Sequence, residues 1–161
     1  MYKRQVVDGL SVPTVSSLLP SVADGRSIGL LVGWNEAGAT SSDDYHRPLR
    51  TSAASLAGPM SALAELARRA ARAFVAGEVD ELARAVDDGW MTRQSCAPLR
   101  ADHAALVEMV RSTGLAATTP GSGGAVVALC AGGDGDFTRA IDALVDAGCA
   151  WQRFDVPFGG A

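Results

Sequence analysis

Residues 121–130 read Gly-Ser-Gly-Gly-Ala-Val-Val-Ala-Leu-Cys, a glycine-rich turn that leads directly into an apolar run. The run continues to Ala131, and its length and β-branched residues predict a buried strand over 125–131. A second short strand is predicted just upstream, at 115–119, so the turn would join the two strands of a hairpin. The predicted fold therefore centres on a hairpin with a glycine-rich connection.

Four other segments have apolar residues at three- and four-residue spacing, which predicts amphipathic helices. These segments are 59–75, 79–93, 102–113 and 136–147. Pro59 is expected in the first turn of its helix, where the missing N–H costs little. Asp102 is expected as the N-cap of the third helix, and Gly114 as the residue that ends it.

Two more segments are predicted to be strands. Residues 28–34 (IGLLVGW) form a short apolar run, and residues 151–156 alternate in polarity; both patterns are typical of strands. Residues 35–50 show neither period, so they are predicted to be a loop. The order strand, three helices, hairpin, helix, strand predicts an α+β protein, with helices packed on one face of an antiparallel sheet.

The composition indicates one globular domain. The chain has 161 residues, of which 48% are hydrophobic and 20% charged, enough for a sizeable core. Its formal net charge of −4 provides no basic field for nucleic acid or an anionic membrane, and neither is expected as a partner. Its three widely spaced cysteines, Cys96, Cys130 and Cys149, predict reduced thiols, no metal site and a cytoplasmic location.

The first five residues, Met-Tyr-Lys-Arg-Gln, differ from the rest of the chain. Lys3 is the only lysine in a sequence otherwise rich in Ala, Gly, Asp and Arg. We therefore interpret residues 1–5 as an adapter-like artefact, and Val6 onward as the interior of a longer protein. Because the first predicted strand begins at Ile28, residues 1–27 are interpreted as this artefact plus the remnant of a missing N-terminal domain.

Three groups of residues are candidates for function. The glycines of Gly121-Ser122-Gly123-Gly124 could point backbone N–H groups at a phosphate, or could simply form a hairpin turn that needs positive φ. His46, close to Ser42 and two aspartates, could orient a substrate or transfer a proton, or belong to a solvated loop. Arg93 could bind an anionic substrate or be an ordinary surface arginine.

Three segments resemble the GHMP kinase family, and their sequences are most similar to those of glucuronokinases. Residues 102–114 (DHAALVEMVRSTG) followed by GSGGAVV at 121–127 resemble the family's third motif. Residues 41–50 (SSDDYHRPLR) and 90–94 (WMTRQ) are similar to a substrate-side loop and to the "FDLRR" segment. Met91 and Thr118-Thr119-Pro120 depart from the pattern, where glucuronokinases have Asp and Lys-Phe-Thr. These departures leave the acceptor open.

The resemblance implies that residues 28–161 are a GHMP kinase C-terminal domain, ferredoxin-like in fold. Such an enzyme transfers the γ-phosphoryl group of ATP, with Mg²⁺, to a hydroxyl of a small metabolite. Gly121, Ser122, Gly123 and Gly124 would lie on the nucleotide side, and Ser42, His46 and Arg93 on the acceptor side. The phosphate loop and the catalytic residues, unknown here, would belong to the missing N-terminal domain, so the chain alone is expected to be inactive.

The acceptor implied by the resemblance is a sugar or sugar acid phosphorylated at its anomeric hydroxyl, with glucuronate as the first choice. Two alternatives stay open. One is another GHMP kinase, acting on a heptose or an isoprenoid phosphate, and the other is a non-catalytic α+β ligand-binding domain.

Overall fold

The computed structural model describes residues 5–8, 14–17, 27–35, 42–51, 53–97, 99–121, 123–130 and 137–157. The elements, in chain order, are β1 (Gln5–Asp8), β2 (Thr14–Ser17), β3 (Ser27–Trp34), α1 (Ser42–Thr51), α2 (Ala53–Ala76), α3 (Val79–Cys96), α4 (Ala101–Arg111), β4 (Ala116–Thr118), β5 (Ala125–Cys130), α5 (Thr138–Asp146) and β6 (Ala150–Pro157).

The main sheet has four antiparallel strands in the order β4-β5-β3-β6. Between its first and second strands in sequence the chain passes through α1–α4, and between its third and fourth strands it passes through α5. This is the strand order and crossover pattern of a ferredoxin-like βαββαβ unit in which the first crossover carries extra helices. β1 and β2 pair separately as a two-stranded sheet. The predicted α+β class and antiparallel sheet are confirmed.

α4 and α5 cover one face of the sheet. Leu31, Val126 and Ala128 on the strands are buried in one cluster with Val107 of α4 and Leu144 of α5. α5 lies so close to β3 that a Cβ at Gly33 would come within 2.6 Å of the Leu144 side chain. Burial of these aliphatic side chains is the main stabilisation of the domain.

α2 and α3 pack as a pair, and α3 lies beside β4. Trp90 of α3, 2% exposed, packs in the main core, and its indole N–H donates to Glu108 Oε1 of α4 at 2.5 Å. The same helix pair contributes Ala73 and Leu82 to a smaller cluster around Ile28. Ile28 and Leu31 are three positions apart in β3, so their side chains lie on opposite faces and this cluster is on the other side of β3 from the main core.

Several boundaries differ from the prediction. The loop predicted at 35–50 is wrong over its second half, which forms α1. Two aspartates in its first turn stabilise the helix by their interaction with the positive end of the helix dipole. Asp43 also forms an ion pair with Arg47 one turn later, at 2.7 Å. Pro59 lies inside α2 rather than at its start, because the alanine-rich flanks are strong enough helix formers to continue past it.

Two smaller predictions on the later helices are also wrong. Asp102 is the second residue of α4, whose N-cap is Arg100. The apolar spacing of the predicted helix at 136–147 places Val145 on its buried side, but Val145 is 56% exposed because it lies on the outer side of α5. Gly114 and Gly148 do follow the ends of their helices, with φ of 95° and 67°, as glycine does at helix C-termini. The predicted start of the last helix at Asp136 lies outside the described residues.

No helix in the described part of the chain combines the length and apolarity needed to cross a membrane. Cys96, Cys130 and Cys149 form no disulfide with one another, and Cys130 is buried in β5 as its apolar surroundings predict.

Candidate functional site

A cavity of about 500 Å³ lies between α1, α2 and the end of α3. Two residues singled out from the sequence, His46 and Arg93, both line it, although they are far apart in the chain. The rest of the lining is largely apolar and consists of Tyr45, Leu49, Leu56, Met60, Leu63, Cys96 and Ala97. The cavity is in the size range of small-ligand sites, and among its described lining residues the Arg93 cation lies in a mostly apolar wall.

Arg93 connects this cavity to the glycine turn. Its Nη2 donates a hydrogen bond of 2.6 Å to the carbonyl oxygen of Gly121. On its other side the guanidinium lies over the ring of Tyr45, with Cζ 5.3 Å from the ring centroid. The structure therefore brings Arg93, His46 and the start of the glycine turn into one region.

Tyr45 is a residue of this region that the sequence reasoning missed. Its hydroxyl donates to the carbonyl oxygen of Ala97 at 2.9 Å, which fastens α1 to the end of α3. Its ring meets the His46 ring edge-on, with centroids 5.0 Å apart. The only signal in the sequence was its position next to His46, in a segment predicted as a loop.

The glycine turn joins β4 to β5, as predicted. Gly123 and Gly124 have φ of 125° and 78°, conformations that favour glycine. Asn35, just after β3, donates its backbone N–H to the Gly124 carbonyl at 3.0 Å. Ser122 lies outside the described residues. Ser42 is the first residue of α1, one turn before His46, and its side chain is likewise outside the described part.

The inner side of the turn is filled by His103 of α4. A Cβ at Gly123 would lie 1.8 Å from His103 Nδ1, so the imidazole packs directly against that glycine. His103 is 4% exposed. His103 belongs to the segment 102–114 that resembles the third motif, but nothing in the sequence indicated this contact. Gly121, by contrast, has no atom within 4 Å of a Cβ position, so the turn is open there.

A second cavity, of about 370 Å³, adjoins the turn on the α4 side. Asp102, His103, Gly124 and Cys149 are among the residues that line it. The Arg100 guanidinium donates to both oxygens of Asp102 and holds the pKa of that carboxyl well below its usual range. Burial raises the pKa of the Cys149 thiol, so this thiol is a poor nucleophile at neutral pH.

The described residues suit phosphate better than a metal bound by protein alone. The Cβ position of Gly121 is open and the Arg93 cation lies beside that residue, a setting that suits an anion. The Gly121 N–H itself donates to Thr119 Oγ1 at 3.4 Å. Within the described ranges, no three His, Cys, Asp or Glu side chains cluster as a metal site. Mg²⁺ in kinases is usually held by one or two carboxylates together with phosphate oxygens, so a bound nucleotide would supply most of its ligands.

No protein-family model matches the sequence, and no curated protein is similar enough to count as a relative. Solved structures do match. L. major mevalonate kinase in complex with R-mevalonate has a TM-score of 0.72 at 17% identity, over 92% of this chain and 47% of its own. Streptococcus pneumoniae phosphomevalonate kinase in complex with phosphomevalonate and AMPPNP has a TM-score of 0.70 at 14% identity, over 88% and 43%.

Lactococcus lactis galactokinase in complex with galactose has a TM-score of 0.50 at 14% identity, over 93% of this chain and 49% of its own. The chain thus spans about half the length of the solved structures it matches. All three are GHMP-family kinases. At these identities the likeness concerns the fold, and the chain has the fold of the C-terminal domain of GHMP-family kinases.

Proposed function

We propose that this chain is the C-terminal half of an ATP-dependent small-molecule kinase of the GHMP type, with a sugar or sugar acid as acceptor. A glucuronate-like acid phosphorylated at its anomeric hydroxyl is the acceptor we favour. The observation that carries the proposal is the position of Arg93, which lines the same cavity as His46 and bonds to the glycine turn at Gly121. An acceptor and a phosphate group could therefore meet at one side chain.

The residues around the cavity have chemistry that suits this reaction. Phosphoryl transfer depends mainly on positioning and charge stabilisation. The Arg93 guanidinium can hold a carboxylate, and the exposed imidazole of His46 can form a hydrogen bond to an acceptor hydroxyl. The backbone of Gly121–Gly124 would face the phosphates. When bound, ATP with Mg²⁺ would supply the phosphoryl group and neutralise the charge of the phosphates.

The rest of the enzyme would come from an N-terminal domain of the same protein. The solved kinases are about twice as long as this chain, which supports a second domain carrying the phosphate loop and the catalytic residues. We propose that residues 28–161 form the C-terminal domain, that the 161-residue chain alone is inactive, and that the enzyme works in the cytoplasm. Cysteines that are not joined in a disulfide suit that reducing compartment.

A second acceptor class is favoured by the wall of the cavity. Leu49, Leu56, Met60 and Leu63 offer few hydrogen-bond partners, whereas a sugar carries a hydroxyl on most carbons and loses affinity where these are left unpaired. A branched acid of the isoprenoid-precursor type would leave fewer groups unsatisfied. The acceptor anion would meet Arg93 in either case.

The test is acceptor-dependent ATP consumption by the longer protein to which we propose this chain belongs. Glucuronate, galacturonate, glucose, a heptose, mevalonate and phosphomevalonate form the panel. We expect ADP release with one acidic acceptor, and a loss of at least tenfold in kcat/KM for Arg93→Gln. Arg84→Gln, on the same helix and 63% exposed in its side chain, is the matched control and should leave kcat/KM unchanged.

Failure of the whole panel would overturn the kinase proposal. Binding of one acceptor without ADP release would instead favour the non-catalytic ligand-binding domain.

A further inference from the structure

Tyr45 contacts two of the residues that we place on the acceptor side, Arg93 and His46. Its ring lies under the Arg93 guanidinium, 5.3 Å from Cζ to centroid, and packs edge-on against His46 with centroids 5.0 Å apart. Its hydroxyl is anchored to the Ala97 carbonyl at 2.9 Å. An aromatic ring held at both its tip and its edge can act as a fixed platform for a cation.

The Arg93 side chain is held in a position that is unfavourable for a surface arginine. Its Nε is buried and has no hydrogen-bond partner among the described residues, whereas an extended side chain could direct this group to water. An unsatisfied buried donor is unfavourable, so other contacts must hold the guanidinium in place. Those contacts are the Tyr45 ring and the Gly121 carbonyl.

We propose that Tyr45 is a positioning residue, which fixes the Arg93 guanidinium at the border between the acceptor cavity and the glycine turn. The positioning itself is a property of the chain. Its consequence, that one fixed cation aligns the acceptor with the phosphate side, rests on the proposed function. A shift of Arg93 by about 1 Å would misalign both partners and lower the rate on the order of a hundredfold.

Two substitutions separate the ring from its hydroxyl. Tyr45→Phe keeps the platform and removes only the bond to Ala97, so Arg93 should stay in place. Tyr45→Leu keeps an apolar side chain and removes the platform, so Arg93 should be released to solvent. Thermal midpoints of both variants show whether each is folded before any other comparison is made.

The first readout needs no kinase activity. In the 161-residue chain, the Arg93 Nε–Hε signal, assigned with Arg93→Gln, should be shifted by the Tyr45 ring current and protected from solvent exchange. We expect this signature to persist in Tyr45→Phe and to disappear in Tyr45→Leu. An unchanged Arg93 signal in folded Tyr45→Leu overturns the positioning role, whatever the protein catalyses.

The second readout is kcat/KM for the acceptor in the longer protein. Tyr45→Leu should lower it at least tenfold and Tyr45→Phe less than threefold. In an Arg93→Gln background, Tyr45→Leu should have no further effect, since it acts through Arg93. Equal losses in both backgrounds would show a merely structural role and overturn the inference. Failure of the wild-type protein to phosphorylate any acceptor refutes the proposed function instead, and the Arg93 signal still decides the role of Tyr45.

Discussion

Gly123→Ala tests the geometry of the glycine turn. Gly123 has φ of +125°, and an added Cβ would lie 1.8 Å from Nδ1 and 2.6 Å from Cε1 of His103. The imidazole cannot move aside easily, because it is 4% exposed. The unfavourable φ costs ~1–3 kcal/mol, and overpacking a buried site costs ~1–3 kcal/mol. We therefore expect Gly123→Ala to lower the free energy of unfolding by about 2–6 kcal/mol.

Urea unfolding of the 161-residue chain measures this loss, and the neighbouring glycine provides the control. Gly121→Ala should change the free energy of unfolding by less than ~0.5 kcal/mol, because nothing lies within 4 Å of its Cβ position. In a His103→Ala background, Gly123→Ala should lose only the backbone contribution, which leaves a coupling of ~1–3 kcal/mol between the two sites. Equal stability of the Gly121 and Gly123 variants, or zero coupling, would refute the contact.

The same variant separates the two interpretations of the turn in the longer protein. If the turn presents N–H groups to phosphate, the folded fraction of Gly123→Ala should turn over on the order of a hundredfold more slowly. If the turn is only a hairpin connection, stability falls and kcat per folded molecule is unchanged. Measurement of both on one preparation distinguishes these outcomes.

Two further predictions concern stability. Gly29→Ala should destabilise the chain by ~1–3 kcal/mol, because its Cβ would come within 2.6 Å of Phe137. Gly89→Ala, in α3 with open space around it, should stabilise the chain by ~0.5–1 kcal/mol. Equal effects of the two substitutions on the free energy of unfolding in urea would contradict this packing. The carboxyl of Asp102 has a lowered pKa because of Arg100, so its stabilising contribution is fully present above its unfolded pKa of about 3.9 and is lost as the pH falls toward the lower folded value. Arg100→Gln should return the Asp102 pKa toward its usual range in an NMR pH titration. The same Asp102 pKa in the variant and in the wild type would show that the ion pair does not form.

The four strands of the main sheet and helices α2–α5 could be predicted because their patterns are local, whereas β1 and β2 were not predicted. The apolar runs at 28–34 and 125–131 and the helical spacing at 79–93 are visible within one window of sequence. α1 was missed because its apolar side is short and consists mainly of Tyr45 and Leu49, too few residues to show a period among the charged ones. Its stabilisation comes from short-range charge pairs and from the contact of Tyr45 with the end of α3.

The candidate site was only partly predictable, for a related reason. Arg93, His46 and the glycine turn could be named singly, but the bond from Arg93 to Gly121 spans 28 residues and that from Tyr45 to Ala97 spans 52. Contacts over such separations depend on the packing of whole elements rather than on local pattern. The contact of His103 with Gly123 also depends on the packing of whole elements. Because of it, substitution of Gly123 should destabilise the protein, although a turn at the edge of a sheet would otherwise be expected to tolerate substitution.

ADP release by the longer protein, with glucuronate or another small acid as acceptor, tests the proposed kinase activity most directly. We expect acceptor-dependent turnover that falls at least tenfold in Arg93→Gln and is unchanged in Arg84→Gln. We also expect no turnover by the 161-residue chain alone. Turnover by the isolated chain, or equal turnover by the Arg93→Gln variant and wild type, would contradict the proposal.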